Sequence, residues 1–255
     1  FIISIIILNN FTRYMVDNLF SIRNKVVVIT GSNQGIGEIL AKGMEKNGAI
    51  VYRIDKKFSK STKTKKRIHD KVCDIVNSKQ IENVCKEIFN ENKRIDILIN
   101  NAGITLPENA EKYSLDSWIK TIDVNLTGSF QISLEILNYM KKKRKGSIVN
   151  ITSLNAEFGF PDNPAYVASK GGLKLLGKSL ARDWGKYGIR VNNLGPGYIK
   201  TKMTKKSFED KKSFELRKAR TMLDRWGKPE DLLGTCIFLA SDASSYVTGQ
   251  DIYVD

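Results

Sequence analysis

The chain has 255 residues, 41% of them hydrophobic, and a formal net charge of +15, which suits one large α/β domain. Its three cysteines, Cys73, Cys85 and Cys236, include no CxxC pair, so they indicate neither a disulfide framework nor a zinc ribbon. The single histidine, His69, and the lack of a G-x-S-x-G motif argue against a Ser–His–Asp hydrolase. The lysines are scattered and match no nucleic-acid motif, so we assign them to solvated surfaces. A weak attraction for anionic substrates or membranes stays open.

The chain begins with an apolar run, FIISIIIL at residues 1–8. This run is far shorter than the roughly 20 residues that span a bilayer, and no stable membrane insertion is expected. Met15 offers a credible native start, so we predict that residues 1–18 are an extension outside the fold. A short membrane-associating segment is the alternative.

Buried-strand patterns and helical patterns alternate along the rest of the chain, which predicts a parallel sheet covered on both faces. Residues 57–71 read as a polar loop, and residues 200–220 as a lid or binding loop. The predicted strands cover residues 25–30, 49–55, 95–100, 146–152, 189–194 and 251–255. The first predicted helix begins near Ile36 and ends at Gly48, and the others cover residues 78–92, 115–142, 164–187 and 229–240.

A glycine-rich turn follows the first predicted strand. Residues 30–37 read TGSNQGIG and place Gly31, Gly35 and Gly37 before a predicted helix. Glycine lets the backbone turn sharply and approach a pyrophosphate, and the helix presents unpaired N–H groups and its positive end. The spacing differs from G-x-G-x-x-G, so a plain tight turn remains an alternative for the glycines alone.

Asp55 ends the second predicted strand, close to the separation of about 20 residues expected of the acid that binds a nucleotide ribose. A carboxylate there accepts hydrogen bonds from the ribose hydroxyls and repels a 2′-phosphate, which favours NAD over NADP. Arg53, Lys56 and Lys57 lie nearby, and any of them could attract a phosphate instead.

Tyr166 and Lys170 lie on one face of a predicted helix, in the segment PAYVASKGG. A phenol has a pKa near 10, too high for a base at neutral pH, and a neighbouring ammonium lowers it. Ser153 ends a predicted strand, where open-sheet enzymes place functional groups. Each residue also has a structural explanation: a core aromatic, a solvated lysine and a strand cap.

Taken together, these segments resemble the short-chain dehydrogenase/reductase family from about residue 19 to residue 255. The matching segments are TGSNQGIG at 30–37, Asp74 in CDI, NNAG at 100–103, Asn125 in VNLTGSF, Ser153, YVASK at 166–170 and PGYIKT at 196–201. The resemblance implies a single doubly wound Rossmann domain over residues 19–255. Its sheet is expected to be mostly parallel and seven-stranded, with helices on both faces.

The resemblance also implies catalytic roles. Tyr166 is expected to be the general acid/base, Lys170 to lower its pKa and bind the nicotinamide ribose, and Ser153 to orient the substrate oxygen. Asn125 is expected to hold a water that links Lys170 to solvent, although it could instead be a helix-kink residue.

The implied cofactor is NAD, and no metal is expected. Gln34 stands where family members that prefer NADP often carry a basic residue. Asp74 and Ile75 are expected to meet the adenine, and Ile199 and Thr201 the carboxamide. The full set expected to bind cofactor is Gly31, Gln34, Gly35, Ile36, Gly37, Asp55, Asp74, Ile75, Asn101, Ala102, Gly103, Tyr166, Lys170, Ile199 and Thr201.

The family usually continues beyond the final VD into a glycine pair and a tail at subunit contacts, so this chain is expected to be truncated. A homodimer or homotetramer in the cytoplasm is expected, without a nucleic-acid partner. The expected reaction interconverts a secondary alcohol and a ketone. MLDRWGKPEDL resembles members that act on sugars and sugar acids. A 3-oxoacyl thioester reductase and a non-catalytic NAD-binding protein are the alternatives, and nucleic-acid association has only charge to support it.

Overall fold

A parallel sheet forms the centre of the computed structural model, which describes residues 19–58 and 67–255. The strands in that part of the chain are β1 (Val26–Thr30), β2 (Ile50–Asp55), β3 (Ile68–Val72), β4 (Ile97–Asn100), β5 (Gly146–Ile151), β6 (Ile189–Pro196) and β7 (Asp251–Val254). All seven belong to one sheet, and every pairing is parallel. The expected fold class is thereby confirmed. The predicted extension, residues 1–18, lies outside the described residues, and the domain boundary stays a prediction.

The strand order is β3-β2-β1-β4-β5-β6-β7. From β1 the chain moves outward to β3 on one side, and then returns to build β4 to β7 on the other. The connections therefore diverge between β1 and β4. In open parallel sheets, ligands bind beyond the carboxyl ends of the strands at this point.

Helices cover both faces of the sheet, with their bounds as follows. They are α1 (Gly35–Lys46), α2 (Ser78–Asn92), α3 (Leu115–Ile122), α4 (Gly128–Lys143), α5 (Pro164–Trp184), α6 (Lys205–Glu209), α7 (Lys211–Lys218) and α8 (Leu233–Ala240). A π-helical turn, Asp123–Thr127, joins α3 to α4, so the predicted helix over 115–142 is continuous but contains one π-helical turn. The predicted lid, residues 200–220, contains α6 and α7.

Two hydrophobic cores lie on opposite faces of the sheet. Alternate residues of β1 point to opposite faces, so Val28 joins the core beneath α2, α4 and α5, and Ile29 joins the core beneath α1 and α8. Burial of both faces explains the unbroken apolar run VVVIT.

The prediction that residues 57–71 form a polar loop is wrong at its end, because β3 begins at Ile68. This strand lies at the edge of the sheet, and only Ile68 of its side chains is buried. The rest are polar or exposed, so the strand carries no apolar run or clean alternation. Edge strands commonly carry charged side chains, which block pairing with other chains.

Candidate active site

The glycine-rich turn connects β1 to α1 at the switch point. Gly31 and Gly35 have φ values of +62° and +63°, a region that side chains with a Cβ rarely adopt. A Cβ on Gly31 would also lie 2.6 Å from the Cα of Ala102. The turn therefore requires glycine both for its conformation and for close packing.

The segment after β4 holds this turn in place. Asn101 Nδ2 donates to the carbonyl oxygens of Thr30 at 2.9 Å and Gly31 at 2.8 Å. The backbone N–H groups of Asn101 and Ala102 both donate to Thr30 Oγ1 at 3.0 Å. Sequence reasoning left out this buried hydroxyl, although its position at the end of a buried strand was a usable signal.

Helix α1 directs its amino end at the turn. Gln34 occupies the N-cap and makes no side-chain cap hydrogen bond. The first-turn N–H groups and the positive end of the helix dipole therefore remain available to an anion. With Gly35 and Ile36 lining the adjoining cleft, this arrangement fits a pyrophosphate.

Asp55 lies at the end of β2 and lines the same cleft. One carboxylate oxygen, Oδ2, accepts a hydrogen bond from the backbone N–H of Asn33 at 2.9 Å. Two of the cations that could compete for a phosphate are paired: Arg53 with Asp70 at 2.7 Å, and Lys56 with Asp74 at 2.9 Å.

Asp74 does not line the cleft, and its expected contact with the adenine stays a prediction. Ile75 lines the cleft, but the Asp74 carboxylate turns to Lys56 and accepts a hydrogen bond from the backbone N–H of Val76 at 3.1 Å. The cleft wall at this end therefore combines the apolar side chains of Ile75 and Val76 with Lys56.

Tyr166 and Lys170 lie on α5, one turn apart, and both line the cleft with Ser153. Lys170 Nζ lies 5.8 Å from the centroid of the Tyr166 ring and donates to the carbonyl oxygen of Ile151 at 2.7 Å. Ser153 Oγ accepts a hydrogen bond from the backbone N–H of Asn155 at 3.1 Å. Three of the four predicted catalytic side chains are thus brought together, Ser153 from the end of β5 and Tyr166 and Lys170 from α5.

Burial changes both titrating groups, and one change is opposite to the expectation. Loss of solvent raises the pKa of Tyr166, and its hydrogen bond with Ser153 lowers that pKa only in part. Lys170 was expected to lower this pKa; but burial lowers the pKa of Lys170 itself from 10.5 to about 8. A lysine that is partly neutral near pH 8 exerts less of the attraction that favours a phenolate.

Asn125 lies in the π-helical turn and is fully buried. Its Nδ2 donates to Ile104 O and Ser169 Oγ, both at 3.0 Å, and its Oδ1 accepts from Ile104 N at 2.8 Å. Both amide donors are therefore used in joining the turn to α5 and to the segment after β4. The expected water stays a prediction, with the Asn125 oxygens as the groups that could accept from it.

The loop after β6 carries Ile199 and Thr201 into the cleft, as expected. The Thr204 hydroxyl donates to Ile199 O at 2.6 Å and accepts from Thr201 N at 3.0 Å, which fixes this loop. Above it, α6 and α7 pack their aromatic side chains around Trp226, and the Phe214 ring stacks on its indole at 5.8 Å.

The cleft that these elements enclose has a volume of about 570 Å³. Most of the predicted site residues line it, whereas Gly37, Asp74 and Asn125 lie behind or beside the wall. A Cβ on Gly37 would meet Asn101 Nδ2 at 2.5 Å, so Gly37 allows close packing under the turn. Further residues line the cleft that were not predicted as site residues, namely Ile54, Cys73, Val76, Ile104, Lys120, Asp123, Val124, Ile151, Thr152, Pro196, Gly197, Lys202, Met203 and Thr204, together with Lys56. Most of them adjoin a motif without carrying a recognisable pattern of their own.

Comparison with known proteins gives a match over nearly the whole chain. A family model described as enoyl-(acyl carrier protein) reductase matches residues 31–255. A 5-keto-D-gluconate 5-reductase of Escherichia coli strain K12 is 33% identical over 246 residues, covering 94% of this chain and 97% of that protein. A 3-oxoacyl-(acyl-carrier-protein) reductase of Thermotoga maritima is 36% identical over 241 residues, covering 92% and 97%.

A solved structure is equally similar. It is a gluconate 5-dehydrogenase from Burkholderia cenocepacia in complex with NADP and tartrate, 33% identical, with a TM-score of 0.90 over 93% of this chain and 96% of that one. The chain belongs to the short-chain dehydrogenase/reductase family.

Membership in the short-chain dehydrogenase/reductase family gives the cleft its chemistry. The protein is an oxidoreductase that interconverts an alcohol and a ketone with a pyridine nucleotide. Residues 19–58 and 67–255 contain no group of three His, Cys, Asp or Glu side chains placed to hold a metal ion. In the same residues, no helix is long and apolar enough to cross a membrane.

Proposed function

We propose that this protein is an NAD(H)-dependent dehydrogenase/reductase of a sugar acid, with Tyr166 as its general acid/base. The observation that carries the proposal is the placement of Tyr166, Lys170 and Ser153 in the cleft that the glycine-rich turn also lines. One cleft thus combines a proton-transfer group with a site shaped for a dinucleotide.

The placement of these side chains supports a proton transfer through Tyr166. Bound nicotinamide supplies the hydride acceptor for oxidation and the hydride donor for reduction. In oxidation the Tyr166 phenolate removes the hydroxyl proton of the substrate, and in reduction the phenol returns a proton to the carbonyl oxygen. Ser153, which shares a hydrogen bond with Tyr166, holds the same substrate oxygen, and the Lys170 ammonium favours the phenolate.

NAD is favoured over NADP by the charges at the ribose end. Asp55 places a carboxylate in the cleft, and Arg53 and Lys56 are each held by another acid. Lys57 is exposed on the loop after β2. The solved relative from Burkholderia cenocepacia binds NADP, so the choice needs a direct measurement. The measurement is the Kd of NAD⁺ and NADP⁺, and a tighter NADP⁺ complex would contradict the proposal.

A sugar acid is favoured by the similarity to enzymes of gluconate and ketogluconate, and by positive charge around the lid. Lys202 lines the cleft. Arg217 on α7 is half-buried, with its guanidinium 5.6 Å from the Phe160 ring and 5.9 Å from the Tyr198 ring. Phe160 follows the catalytic Ser153 loop and Tyr198 precedes Ile199, so Arg217 lies where both loops meet the lid. It makes no ion pair with any described acid, which suits it to a substrate carboxylate.

The test is a substrate panel with both nucleotides, read as the change in reduced nicotinamide. Gluconate, ketogluconates, neutral polyols and a 3-oxoacyl thioester separate the candidate substrates. We expect turnover of sugar acids with NAD(H). Preferential reduction of the thioester would support the alternative favoured by the Thermotoga maritima relative. Tight nucleotide binding without turnover of any member would support the non-catalytic alternative.

The assembly and location are part of the same proposal. Exposed apolar side chains on α4 and α5, namely Phe130, Leu134 and Leu175, favour a homo-oligomer. The described cysteines are free and buried, which fits the cytoplasm. Light scattering on the purified chain measures the first, and a monomer at micromolar concentration would contradict it.

A further inference from the structure

Arg53 is a buried cation at the nucleotide end of the cleft, and no sequence motif marks its partner. The residue is only 4% exposed. Nε and Nη2 donate to the two carboxylate oxygens of Asp70 at 2.7 and 2.8 Å, a bidentate pair. Asp70 stands directly opposite Arg53 in the parallel pairing of β2 with β3. The edge strand that reads as a loop in the sequence thus supplies the counter-charge.

This ion pair lies beside Asp55, the residue proposed to bind the adenosine ribose. Arg53 and Asp55 are two residues apart on β2, so their side chains leave the same face of the sheet. Both hold the glycine-rich turn: Arg53 Nη1 lies 3.4 Å from Ser32 O, and Asp55 Oδ2 accepts from Asn33 N. The Phe58 ring lies 4.9 Å from the guanidinium, over it. The guanidinium is therefore enclosed by the glycine-rich turn, Phe58 and Asp70, directly behind the position of Asp55.

A guanidinium in this place is chemically suited to bind the 2′-phosphate of NADP, the cofactor that the proposal excludes. Its planar set of donors matches a phosphate, and charge-assisted bonds of this kind are among the strongest in proteins. The 2′-phosphate is the group that distinguishes NADP from NAD, and it would project from the ribose that Asp55 faces. Exclusion of NADP then needs a carboxylate at Asp55 and also a means of keeping Arg53 occupied.

We propose that Asp70 is a second determinant of cofactor choice, a positioning residue that acts through Arg53. By accepting from Nε and Nη2 it neutralises the cation and fixes it against β3, so that Arg53 does not offset the negative charge that Asp55 presents to the ribose. The inference rests on the proposed preference for NAD.

The experiment measures the Kd of NAD⁺, NADP⁺, 5′-AMP and 2′,5′-ADP by calorimetry on the full chain. Asp70→Asn leaves Arg53 without its counter-charge, and we expect the Kd of NADP⁺ to fall roughly tenfold, the equivalent of one charge-assisted hydrogen bond. The Kd of 2′,5′-ADP should fall in parallel, while those of NAD⁺ and 5′-AMP change by less than about twofold. In Arg53→Gln/Asp70→Asn the gain for NADP⁺ should disappear.

Asp242→Asn is the charge-matched control, because Asp242 pairs with Lys145 at the opposite end of the sheet. Asp70→Glu keeps the charge and should keep the wild-type ratio of affinities. If Asp70→Asn does not fold, as judged by thermal unfolding, Asp70→Ser supplies the same comparison.

An unchanged Kd of NADP⁺ in Asp70→Asn, or a gain that persists without Arg53, overturns the inference. A wild-type protein that prefers NADP⁺ overturns the proposed cofactor instead, and the comparison between variants still shows whether Asp70 acts through Arg53.

Discussion

Two cations in this protein are buried to the same extent and are treated in opposite ways. Lys170 and Arg53 are each 4% exposed. Arg53 is held by both oxygens of Asp70, whereas Lys170 donates to the carbonyl oxygen of Ile151 and burial alone shifts its pKa. A buried charge is costly unless it is paired, so the unpaired lysine lowers the stability of the fold.

The difference corresponds to the proposed roles of the two residues, because Lys170 assists proton transfer and Arg53 lies beside the nucleotide site. An unpaired ammonium has a pKa of about 8, close to the pH at which it must assist a proton transfer. The Arg53 guanidinium, by contrast, has the Asp70 carboxylate as its counter-charge. At the catalytic end of the cleft, Lys170 is buried without a counter-charge, which lowers its pKa. At the nucleotide end, Asp70 neutralises the buried Arg53, which we propose prevents Arg53 from binding the 2′-phosphate of NADP.

The largest test of this comparison removes the group that transfers the proton. In Tyr166→Phe the ring still fills its site but has no acid or base, so we expect kcat to fall roughly a thousandfold. Steady-state kinetics measure the loss, and calorimetry should show the Kd of NAD⁺ within about twofold of the wild-type value. Tyr198→Phe removes a hydroxyl from a ring beside the lid and is the matched control. Wild-type turnover by Tyr166→Phe would falsify the assignment of the general acid/base.

A second test concerns the stability that the unpaired lysine removes. The pKa of Lys170 is lowered from 10.5 to about 8 on folding, so the folded protein binds the proton more weakly than the unfolded chain does. The destabilisation is fully present below pH 8 and is lost as the pH rises towards 10.5. We expect Lys170→Met to be inactive and yet about 2 kcal/mol more stable at pH 7, after allowing for the lost hydrogen bond.

Chemical denaturation at several pH values checks that sign. The gain in the free energy of unfolding should be largest near neutral pH and should shrink above pH 8. Lys174→Met, on the same helix but paired with Glu157, is the control and should lose stability or stay neutral. A Lys170→Met variant that is less stable than the wild type at pH 7 would show that the surroundings of Lys170 offset the cost of burying its charge.

The sequence predicted residues whose roles depend on local spacing, and it did not predict residues whose roles depend on a partner in a distant segment. Gly31 and Gly35 both need a positive φ, which is a local property of the turn, and Tyr166 and Lys170 share a helix face, so spacing was enough to find them. Asp70 was missed because its role depends on its partner across the sheet, and its strand buries only Ile68.

The catalytic end contains similar cases. The amide group of Asn125 uses both of its donors, and Asn101 donates hydrogen bonds to the glycine-rich turn. Both arrangements depend on contacts between segments that are distant in the sequence. The lid is held by aromatic packing around Trp226, and a charged segment with scattered aromatics carries no helical pattern that would predict it.

The smallest of the expected effects tests recognition without altering the proton relay. Asp55→Asn keeps the size of the side chain and an acceptor for Asn33 N, but it removes the charge that faces the ribose. We expect the ratio of kcat/KM with NAD⁺ to that with NADP⁺ to fall roughly tenfold, because a like-charge contact costs a few kcal/mol at most when partly solvated. The pH profile of kcat should not move, since Tyr166 and Lys170 are untouched. Asp242→Asn is the control, because Asp242 pairs with Lys145 at the opposite end of the sheet and lies outside the cleft. A ratio that is equally altered in both variants would mean that general charge, and not the position of Asp55, selects the nucleotide.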